Sequence, residues 1–290
     1  MRPMPLKLGS ILTAMVTPFD DRGRVDEDAA VALMHHLVEH GSDGLVICGT
    51  TGEAATLDDQ EHLGMIALAA HEMGDTCTII AGVGSNDTRH AVTLTEAASA
   101  IEGVDALLSV NPYYNRPSRR GILAHYREVD RASGLPILLY NIPQRTGSDL
   151  PNDLVAELGE LEHIVGVKQA NHANLARIDG MMIYAGNDDM LADVLDLGEP
   201  GGILTGSHIF GEEMRRMVEE PARRREIDAG LADVYRDFAV APAACSVKAA
   251  LELIGVRAGK PRLPYVELDP SELAIVRAML DRHGMLATAA

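Results

Sequence analysis

Short apolar runs recur eight times along the chain, and a polar or glycine-rich cluster follows each of them. Short runs of this kind, rich in β-branched side chains, are typical of strands that are buried on both faces. Amphipathic stretches of helical period, such as DEDAAVALMHHLVEHG, separate most of the runs. The predicted strands lie within SILTAMV, GLVIC, TIIAGVG, ALLSV, PILLYN, IVGVK, MIYAG and GGILT.

Eight strands that alternate with helices imply parallel pairing, and eight is the number that closes a barrel. We therefore predict an α/β fold, a (β/α)8 TIM barrel. An open doubly wound sheet is the alternative, but it normally carries a GxGxxG turn after its first strand, and TPFDDRG is not that motif. Thr56 is the predicted N-cap of the second helix, because Asp58 and Asp59 follow it in the first turn.

The strand pattern stops at about residue 220, and three helical segments follow. A chain of 290 residues is long enough for one large domain with an appendage. We predict a barrel catalytic domain over residues 1–221 and a C-terminal helical domain over 222–290, with the boundary near Pro221. The three segments are PARRREIDAGLADVYRDF, CSVKAALELIGV and PSELAIVRAMLDRHGML.

Charge and cysteine content narrow the function classes. The formal net charge of −18 repels nucleic-acid phosphates and anionic membranes, so neither is an expected partner. Cys48, Cys77 and Cys245 form no CxxC pair, and we interpret them as reduced core residues. The N-terminal run ILTAMV is too short for a signal-peptide core and has no small-residue cleavage site. We therefore expect a cytoplasmic protein.

Lys168 ends the sixth predicted strand, IVGVK, and a lysine in that position has two interpretations. A buried ammonium is unfavourable unless it is paired, so such a lysine either extends to water or loses its proton. In a barrel, the clusters that follow all eight strands meet at the carboxyl-terminal mouth, where barrel enzymes keep their catalytic residues. The position therefore favours a nucleophilic amine that forms a Schiff base with a carbonyl substrate.

Other polar residues of the predicted mouth could assist such an amine. Tyr140 ends the fifth strand and could supply a hydroxyl, although a core tyrosine at the rim would look the same. Thr50 and Thr51 follow the second strand, but Thr50-x-x-Glu53 also has the spacing of a capping box. Arg145 could hold a substrate carboxylate with two hydrogen bonds, although a loop arginine is more often solvated.

Aromatic and histidine residues add two smaller observations. Tyr113 and Tyr114 are adjacent on a mouth loop of a chain with only seven tyrosines, three phenylalanines and no tryptophan, which indicates a site or an interface. His35, His36 and His40 cluster on the first predicted helix, and a zinc-dependent aldolase would need such a cluster of ligands. A solvated helix face explains them better, so we expect no metal.

Four stretches, GTTGEAATLDDQEH, NPYYNRPSRRG, YNIPQRTG and GVKQA, resemble the signatures of the dihydrodipicolinate synthase family. That family belongs to the pyruvate-dependent class I aldolase superfamily, together with N-acetylneuraminate lyase. The resemblance runs in order from about Leu8 to the C-terminal helices. YYNRP and QRTG favour the synthases over their relatives, because the arginine of QRTG serves the co-substrate of the synthases.

The resemblance implies condensation of pyruvate with L-aspartate 4-semialdehyde through a lysine Schiff base, giving 4-hydroxy-tetrahydrodipicolinate without a metal or organic cofactor. Two alternatives stay open. Within the superfamily, the chain could be a 2-keto-3-deoxy-sugar-acid aldolase or an N-acetylneuraminate lyase. Outside it, a non-enzymatic small-molecule-binding barrel is possible in principle, but the presence of both Lys168 and Tyr140 disfavours it.

The resemblance also implies roles for individual residues. Lys168 would form the Schiff base, Tyr140 would shuttle protons to it, and Thr51 would bind the pyruvate carboxylate and hydrogen-bond to Tyr140. Tyr114 would reach into the site of a neighbouring subunit with Thr50 beside it, so a homodimer or homotetramer is expected. Three further residues complete the implied site: Arg145 would hold the carboxylate of the semialdehyde, and the backbone of Ile203 would close the pocket opposite Gly186.

The link between the sixth and seventh strands, QANHANLARIDGM, departs from the family pattern. It is short and leaves room for little more than one or two turns of helix. In tetrameric relatives this region helps to form the weaker of two subunit contacts. The sequence therefore leaves the choice between dimer and tetramer open.

The feedback site for lysine is a second departure. Asn86, His62 and Tyr113 match the pattern of lysine-regulated relatives, but His90 stands at the glutamate position and Asp59 at a histidine position. An imidazole cannot replace a carboxylate that faces an ammonium group, so a charge-assisted hydrogen bond is lost. We therefore expect weak inhibition by lysine, or none.

Overall fold

The computed structural model describes residues 7–286, in which eight strands alternate with helices. Each strand pairs in parallel with the next, and the eighth pairs with the first, which closes the barrel. The predicted (β/α)8 fold is therefore confirmed. The strands are β1 (Ile11–Ala14), β2 (Gly44–Ile47), β3 (Thr78–Gly82), β4 (Ala106–Val110), β5 (Ile137–Asn141), β6 (Ile164–Gln169), β7 (Met182–Ala185) and β8 (Gly201–Leu204).

Helices cover the outside of the barrel and form the C-terminal region. Within residues 7–286, none is long and apolar enough to cross a membrane. The helices are α1 (Glu27–Glu39), α2 (Asp59–Met73), α3 (Thr88–Ser99), α4 (Arg119–Ala132), α5 (Pro143–Thr146), α6 (Asn152–Leu158), α7 (Leu191–Asp196), α8 (Ser207–Glu219), α9 (Arg224–Gly230), α10 (Ala232–Phe238), α11 (Ala243–Leu253) and α12 (Pro270–Arg282).

The C-terminal region contains four helices where the pattern predicted three. The first predicted segment is divided into α9 and α10 at Leu231, whose backbone (φ −98°, ψ 1°) leaves the helical range. One hydrophobic cluster includes Leu33 of the barrel helices as well as Val247 and Met279 of the C-terminal region. The division into two domains at Pro221 stays a prediction.

The alternation of side chains along each strand decides which of them enter the barrel. Successive residues of a strand point to opposite faces. In β1, Leu12 belongs to the interior cluster, which also contains Tyr140, whereas Ile11 packs beneath the helices. In β6, Val167 packs beneath the helices. Its neighbour Lys168 therefore faces the barrel interior.

The predicted N-cap of the second helix is wrong. Asp58 caps α2: its carboxylate accepts the backbone N–H of Glu61 at 2.9 Å, and the Glu61 carboxylate accepts the N–H of Asp58 at 3.3 Å. This is a capping box. Thr56 ends a 3-10 turn that begins at Ala54, and its hydroxyl donates to the carbonyl of Glu53. The local composition permitted either cap, and the path of the preceding loop decides between them.

The link between β6 and β7 contains a single 3-10 turn, His172–Asn174, in place of a full barrel helix. Asn174 Nδ2 donates to both carboxylate oxygens of Asp149, at 3.0 and 2.8 Å. Asn141 Nδ2 donates to Asp149 at 2.8 Å and to Gln169 Oε1 at 3.0 Å. Because Asn141 and Gln169 are the last residues of β5 and β6, these amide bonds hold the ends of the two strands side by side.

The three cysteines and the histidines of α1 form no reactive group within residues 7–286. All three cysteines are free thiols, with Cys48 and Cys245 buried and Cys77 half-buried. The rings of His36 and His40 stack with centroids 4.2 Å apart at the end of α1. Over residues 7–286, no three His, Cys, Asp or Glu side chains are grouped as metal ligands.

Candidate active site

Lys168 lies at the carboxyl end of β6 with 5 % of its surface exposed. In the strand register it stands between Tyr140 of β5 and Tyr184 of β7. Its Nζ is 4.4 Å from the centroid of the Tyr140 ring. The interpretation as a surface lysine is therefore wrong, and the amine is enclosed at the barrel mouth.

Enclosure changes the protonation of this amine. The pKa of Lys168 falls to about 7, chiefly because burial disfavours the charged ammonium. The carboxylate of Asp188 opposes the shift, and the guanidinium of Arg145 adds to it. A group with a pKa of about 7 is close to half neutral at neutral pH, so Lys168 offers a free amine to a carbonyl carbon.

Lys248 is also buried and must be considered as a competing nucleophile. The chain has four lysines, of which Lys7 and Lys260 are exposed. Lys248 Nζ lies 2.7 Å from a carboxylate oxygen of Glu53. Burial lowers the pKa of Lys248, but the carboxylate opposes that shift. The Glu53 carboxylate favours the charged form of Lys248, whereas Lys168 stands beside Tyr140 at the barrel mouth, so Lys168 is the candidate nucleophile.

Tyr140 has the protonation state that an acid requires. Only 6 % of the residue is exposed, and burial raises its pKa to about 12, with Arg145 opposing the shift. The hydroxyl therefore keeps its proton at neutral pH and can donate it to an oxygen that develops negative charge. Tyr140 is part of the interior core and also lines the cavity described next, so the two interpretations of this tyrosine do not exclude each other.

A cavity of about 460 Å³ opens at the mouth beside Tyr140, the neighbour of Lys168 in the strand register. Thr50, Tyr140 and Arg145 line it, and so do Tyr113 and Tyr265. Pockets of this size hold small molecules that are fixed by a few polar groups. Carboxylic acids of three or four carbon atoms fit within it.

The loop of residues 48–53 brings the two candidate threonines to the mouth. Thr51 is buried and Thr50 is half-buried. The capping-box interpretation of Thr50 and Glu53 is wrong, because the Glu53 carboxylate bonds to Lys248 and to the N–H of Arg262. Over residues 7–286, no direct hydrogen bond joins the hydroxyls of Thr51 and Tyr140, and that coupling stays a prediction.

Arg145 lies on α5, a single turn that begins with Pro143 and ends at Gly147 in the left-handed conformation (φ 72°). The arginine is exposed. Its charge nevertheless contributes to the pKa values of both Lys168 and Tyr140, so the guanidinium lies near the enclosed amine. This position suits a group that holds a charged substrate at the entrance.

Ile203 lies in β8, and Gly186 follows the neighbouring strand β7. Ile203 is buried in β8 within the interior cluster. Gly186 follows β7 directly and donates its N–H to the carbonyl of Gln169 at 2.8 Å. A Cβ atom on Gly186 would lie 2.8 Å from the backbone nitrogen of Ala170, so only glycine fits there. Their predicted roles in closing the pocket remain predictions.

Comparison with known proteins agrees with this geometry. The sequence model of the Dihydrodipicolinate synthetase family matches residues 7–283. The chain belongs to this family. A 4-hydroxy-tetrahydrodipicolinate synthase of Synechococcus sp. (strain JA-2-3B'a(2-13)) is 39% identical over 295 residues, which cover 97% of this chain and 96% of the relative. The resemblance predicted from the four signature stretches is therefore confirmed.

Two solved structures of this family are similar over nearly the whole chain. The dihydrodipicolinate synthase of Cyanidioschyzon merolae with lysine bound has a TM-score of 0.92 at 35% identity, covering 96% of this chain and 99% of that one. The chloride-inhibited enzyme of Acinetobacter baumannii complexed with pyruvate has a TM-score of 0.92 at 32% identity, covering 97% and 100%. Both similarities include the C-terminal region as well as the barrel.

Asp188 is a further candidate site residue, which the sequence pattern did not single out. Its carboxylate accepts the N–H groups of Thr205 and Gly206 at 2.9 and 3.0 Å and the Thr205 hydroxyl at 2.8 Å. Burial raises the pKa of Asp188, and those hydrogen bonds oppose the shift. Its negative charge favours a cation on Lys168. It lies in the polar cluster NDD after β7, but the sequence does not indicate which of the three residues faces the lysine.

The two tyrosines of the adjacent pair differ in position: Tyr113 lines the cavity, whereas Tyr114 is exposed. Tyr114 is 88% exposed and has a positive φ of 73°, which is uncommon for a residue with a side chain. Its N–H donates to the carbonyl of Thr146 at 3.2 Å, and Asn115 Nδ2 donates to the carbonyl of Asn86 at 2.8 Å. The loop is thus anchored at both sides while the Tyr114 ring faces outward. Its role in a neighbouring subunit stays a prediction.

The residues that the resemblance associates with lysine feedback have partners within this chain. His90 Nε2 and a carboxylate oxygen of Asp59 are 2.9 Å apart. The Asp59 carboxylate is therefore engaged with His90. Asn86 Nδ2 donates to the carbonyl of Tyr113 at 3.2 Å, and His62 Nε2 lies 2.7 Å from the carbonyl of Gly82. The expected weak response to lysine stays a prediction.

Proposed function

We propose that this chain is a Schiff-base-forming lyase that condenses pyruvate with L-aspartate 4-semialdehyde to give 4-hydroxy-tetrahydrodipicolinate, a step of lysine and diaminopimelate biosynthesis. The observation that carries the proposal is the enclosed Lys168 amine, with a pKa of about 7, against the ring of Tyr140. The nearly full-length similarity to 4-hydroxy-tetrahydrodipicolinate synthases supports the choice of substrates.

The first half of the reaction forms the imine. The neutral Lys168 amine attacks the keto carbon of pyruvate, and the carbonyl oxygen takes a proton from Tyr140. The attacking nitrogen then returns a proton to the Tyr140 phenolate, and Tyr140 passes that proton to the hydroxyl, which leaves as water; an iminium ion remains on Lys168. Asp188 faces that charge and favours it. Thr51, buried in the neighbouring loop, would bind the pyruvate carboxylate.

The second half joins the two substrates. The Tyr140 phenolate takes a proton from the pyruvate methyl group, the C–H electron pair forms the C=C bond of an enamine, and the C=N pair returns to nitrogen. The enamine carbon attacks the aldehyde carbon of the semialdehyde, whose oxygen takes a proton and becomes the hydroxyl group of the product. The amine of the semialdehyde then attacks the iminium carbon, the bond to Lys168 breaks, and the ring closes. One water molecule is released in the overall reaction.

The Arg145→Ala variant tests the assignment of the second substrate. Removing one charge-assisted contact of roughly 1.5–3 kcal/mol should lower kcat/KM for the semialdehyde by about 10–150-fold. Imine formation with pyruvate should be largely unchanged, because α5 holds the arginine at the entrance. The assay belongs at pH 8, where Lys168 stays mostly neutral although the neighbouring cation that lowers its pKa has been removed.

Arg131→Ala is the matched control, because that arginine is exposed and pairs with Glu128 at the end of α4. Equal loss of imine formation and aldehyde turnover in Arg145→Ala would contradict the assignment. The unmodified protein should turn over pyruvate with the semialdehyde. Release of pyruvate from N-acetylneuraminate or a 2-keto-3-deoxy-sugar acid, without that condensation, would instead show an aldolase or lyase of the wider superfamily.

We also propose that the active form is at least a homodimer. The Tyr114 side chain is exposed, whereas Lys168 and Tyr140 are enclosed, so its hydroxyl would assist catalysis in a neighbouring site. Tyr114→Phe should lower turnover by about 2–10-fold, the effect of one hydrogen bond, and leave the barrel folded. Sedimentation of the enzyme at assay concentration should show a dimer or a tetramer. A fully active monomer would remove this role.

A further inference from the structure

A buried ion pair joins the loop of residues 48–53 to the C-terminal region. Lys248, on α11, places its Nζ 2.7 Å from one carboxylate oxygen of Glu53, and the two side chains are 2% and 0% exposed. The other carboxylate oxygen accepts the backbone N–H of Arg262 at 2.9 Å. Both oxygens of Glu53 are thus held by residues of the C-terminal region.

Further contacts hold the two cations next to this carboxylate, Lys248 and Arg262. The Lys248 ammonium and the Arg262 guanidinium each lie 4.2 Å from the centroid of the Phe19 ring. Such cation–π contacts are favourable when the cation has little water around it. The Arg262 guanidinium also donates to both carboxylate oxygens of Glu61 and to the carbonyl of Thr56 at 2.8 Å. These contacts therefore fix the loop of residues 48–53 at its last residue, Glu53.

A contribution to the stability of the fold does not explain the buried Glu53–Lys248 pair well. A buried ion pair is often no more stabilising than well-packed apolar residues of the same volume. Glu53 also has a positive φ of 56°, as does Cys48 at the other end of the loop, and non-glycine residues persist in that conformation only where their surroundings dictate it. Thr17 adds a further constraint, because its hydroxyl donates to the carbonyl of Gly52 at 2.7 Å.

The constrained residues flank Thr50 and Thr51, and Thr50 lines the same cavity as Tyr140. We propose that Glu53 and Lys248 are positioning residues, which hold this loop so that its threonines meet the pyruvate carboxylate in the correct orientation. The C-terminal region then controls the rate of imine formation through the loop. This inference rests on the proposed Schiff-base function.

The test compares variants that remove charge inside and outside the cluster. Lys248→Met and Glu53→Gln should each lower the single-turnover rate of imine formation at least ~10-fold, the equivalent of one typical hydrogen bond to a charged group. Lys260→Met is the control: its side chain is an exposed lysine of the same region, paired with Glu267 at 2.8 Å, and its imine rate should stay within about twofold. Circular dichroism and thermal unfolding establish which variants are folded.

A double-mutant cycle separates positioning from simple support of the fold. If the ion pair acts through the loop, Lys248→Met should have little further effect on the imine rate in a Thr51→Val background. Losses that multiply, or an unchanged imine rate in folded Lys248→Met, would overturn the inference. If Lys248→Met does not fold, the Lys248→Met/Glu53→Gln double variant takes its place, because it leaves no unpaired buried charge.

The wild-type protein distinguishes failure of this inference from failure of the proposed function. Absence of a pyruvate adduct on Lys168 in the wild type would remove the Schiff-base function and the inference with it. A wild type that forms the adduct normally, beside a folded Lys248→Met variant with the same imine rate, would overturn the positioning role alone.

Discussion

Borohydride added together with pyruvate should leave a pyruvate-derived mass on Lys168 and on no other lysine. Lys7 and Lys260 are exposed and keep the ordinary solvation of an ammonium group, and Lys248 is bonded to Glu53. Only Lys168 combines burial with a pKa of about 7. Mass spectrometry of the four lysine-containing peptides makes the measurement direct. An adduct on any other peptide, or none at all, would contradict the mechanism.

Lys168→Met is the matched variant for this experiment, because methionine keeps the unbranched apolar stem and removes the amine. It should form no adduct and should lose roughly 10⁴–10⁶-fold in turnover, as enzymes do when a nucleophile is removed. Thermal unfolding should show a folded protein, since the change removes a group whose charge burial disfavours. Retention of substantial turnover would exclude covalent catalysis by this residue.

The same amine predicts the dependence on pH. Because the neutral form is the nucleophile and the pKa lies at about 7, the rate of imine formation should rise with pH and level off above about pH 8. At pH 5 it should be about 50-fold lower than at pH 7, since each pH unit below the pKa removes about nine-tenths of the neutral amine. Asp188→Asn should shift the midpoint to lower pH, because Asp188 favours the ammonium. A rate still rising at pH 10 would contradict the lowered pKa.

Tyr140→Phe should lower the rate of imine formation by about 10²–10⁴-fold, the usual contribution of a general acid–base group. Phenylalanine preserves the ring against Lys168 and its packing in the interior cluster, so the fold should be unchanged. Single-turnover kinetics with pyruvate measure the effect without involving the second substrate.

Tyr184→Phe is the control for this prediction. Tyr184 flanks Lys168 from the adjacent strand β7, on the side away from Tyr140. Its hydroxyl donates to the carbonyl of Gly9 at 3.1 Å and is therefore already engaged. Its loss should change the imine rate by less than about tenfold. Equal losses in the two variants would show that the effect of Tyr140→Phe comes from the packing around the amine and not from proton transfer.

The repeating pattern along the chain was sufficient to predict the barrel and the position of Lys168. Each strand is a short apolar run, and the residue that follows it must lie at the mouth once the barrel closes. The alternation of faces explains why Lys168 and Tyr140 both point inward. These features depend on periodicity and strand order, which the sequence displays directly.

Contacts between distant parts of the chain could not be predicted in this way. The spacing of Thr50 and Glu53 fits a capping box, yet Glu53 bonds to Lys248 and Arg262 in the C-terminal region. Thr56 fits an N-cap, yet Asp58 caps α2. In both cases the local pattern allowed two hydrogen-bonding arrangements, and tertiary contacts selected one. Such a choice is not visible in sequence spacing.

The uneven distribution of lysines has a practical consequence for handling the protein. A bulky amine-reactive dye, crosslinker or solid support can reach Lys7 and Lys260, but it cannot reach the two enclosed amines. Immobilised or fluorescent enzyme prepared by ordinary lysine coupling should therefore retain an unmodified Lys168. Small carbonyl reagents behave in the opposite way, because they are compact enough to enter the mouth and encounter an amine that is about half unprotonated at neutral pH.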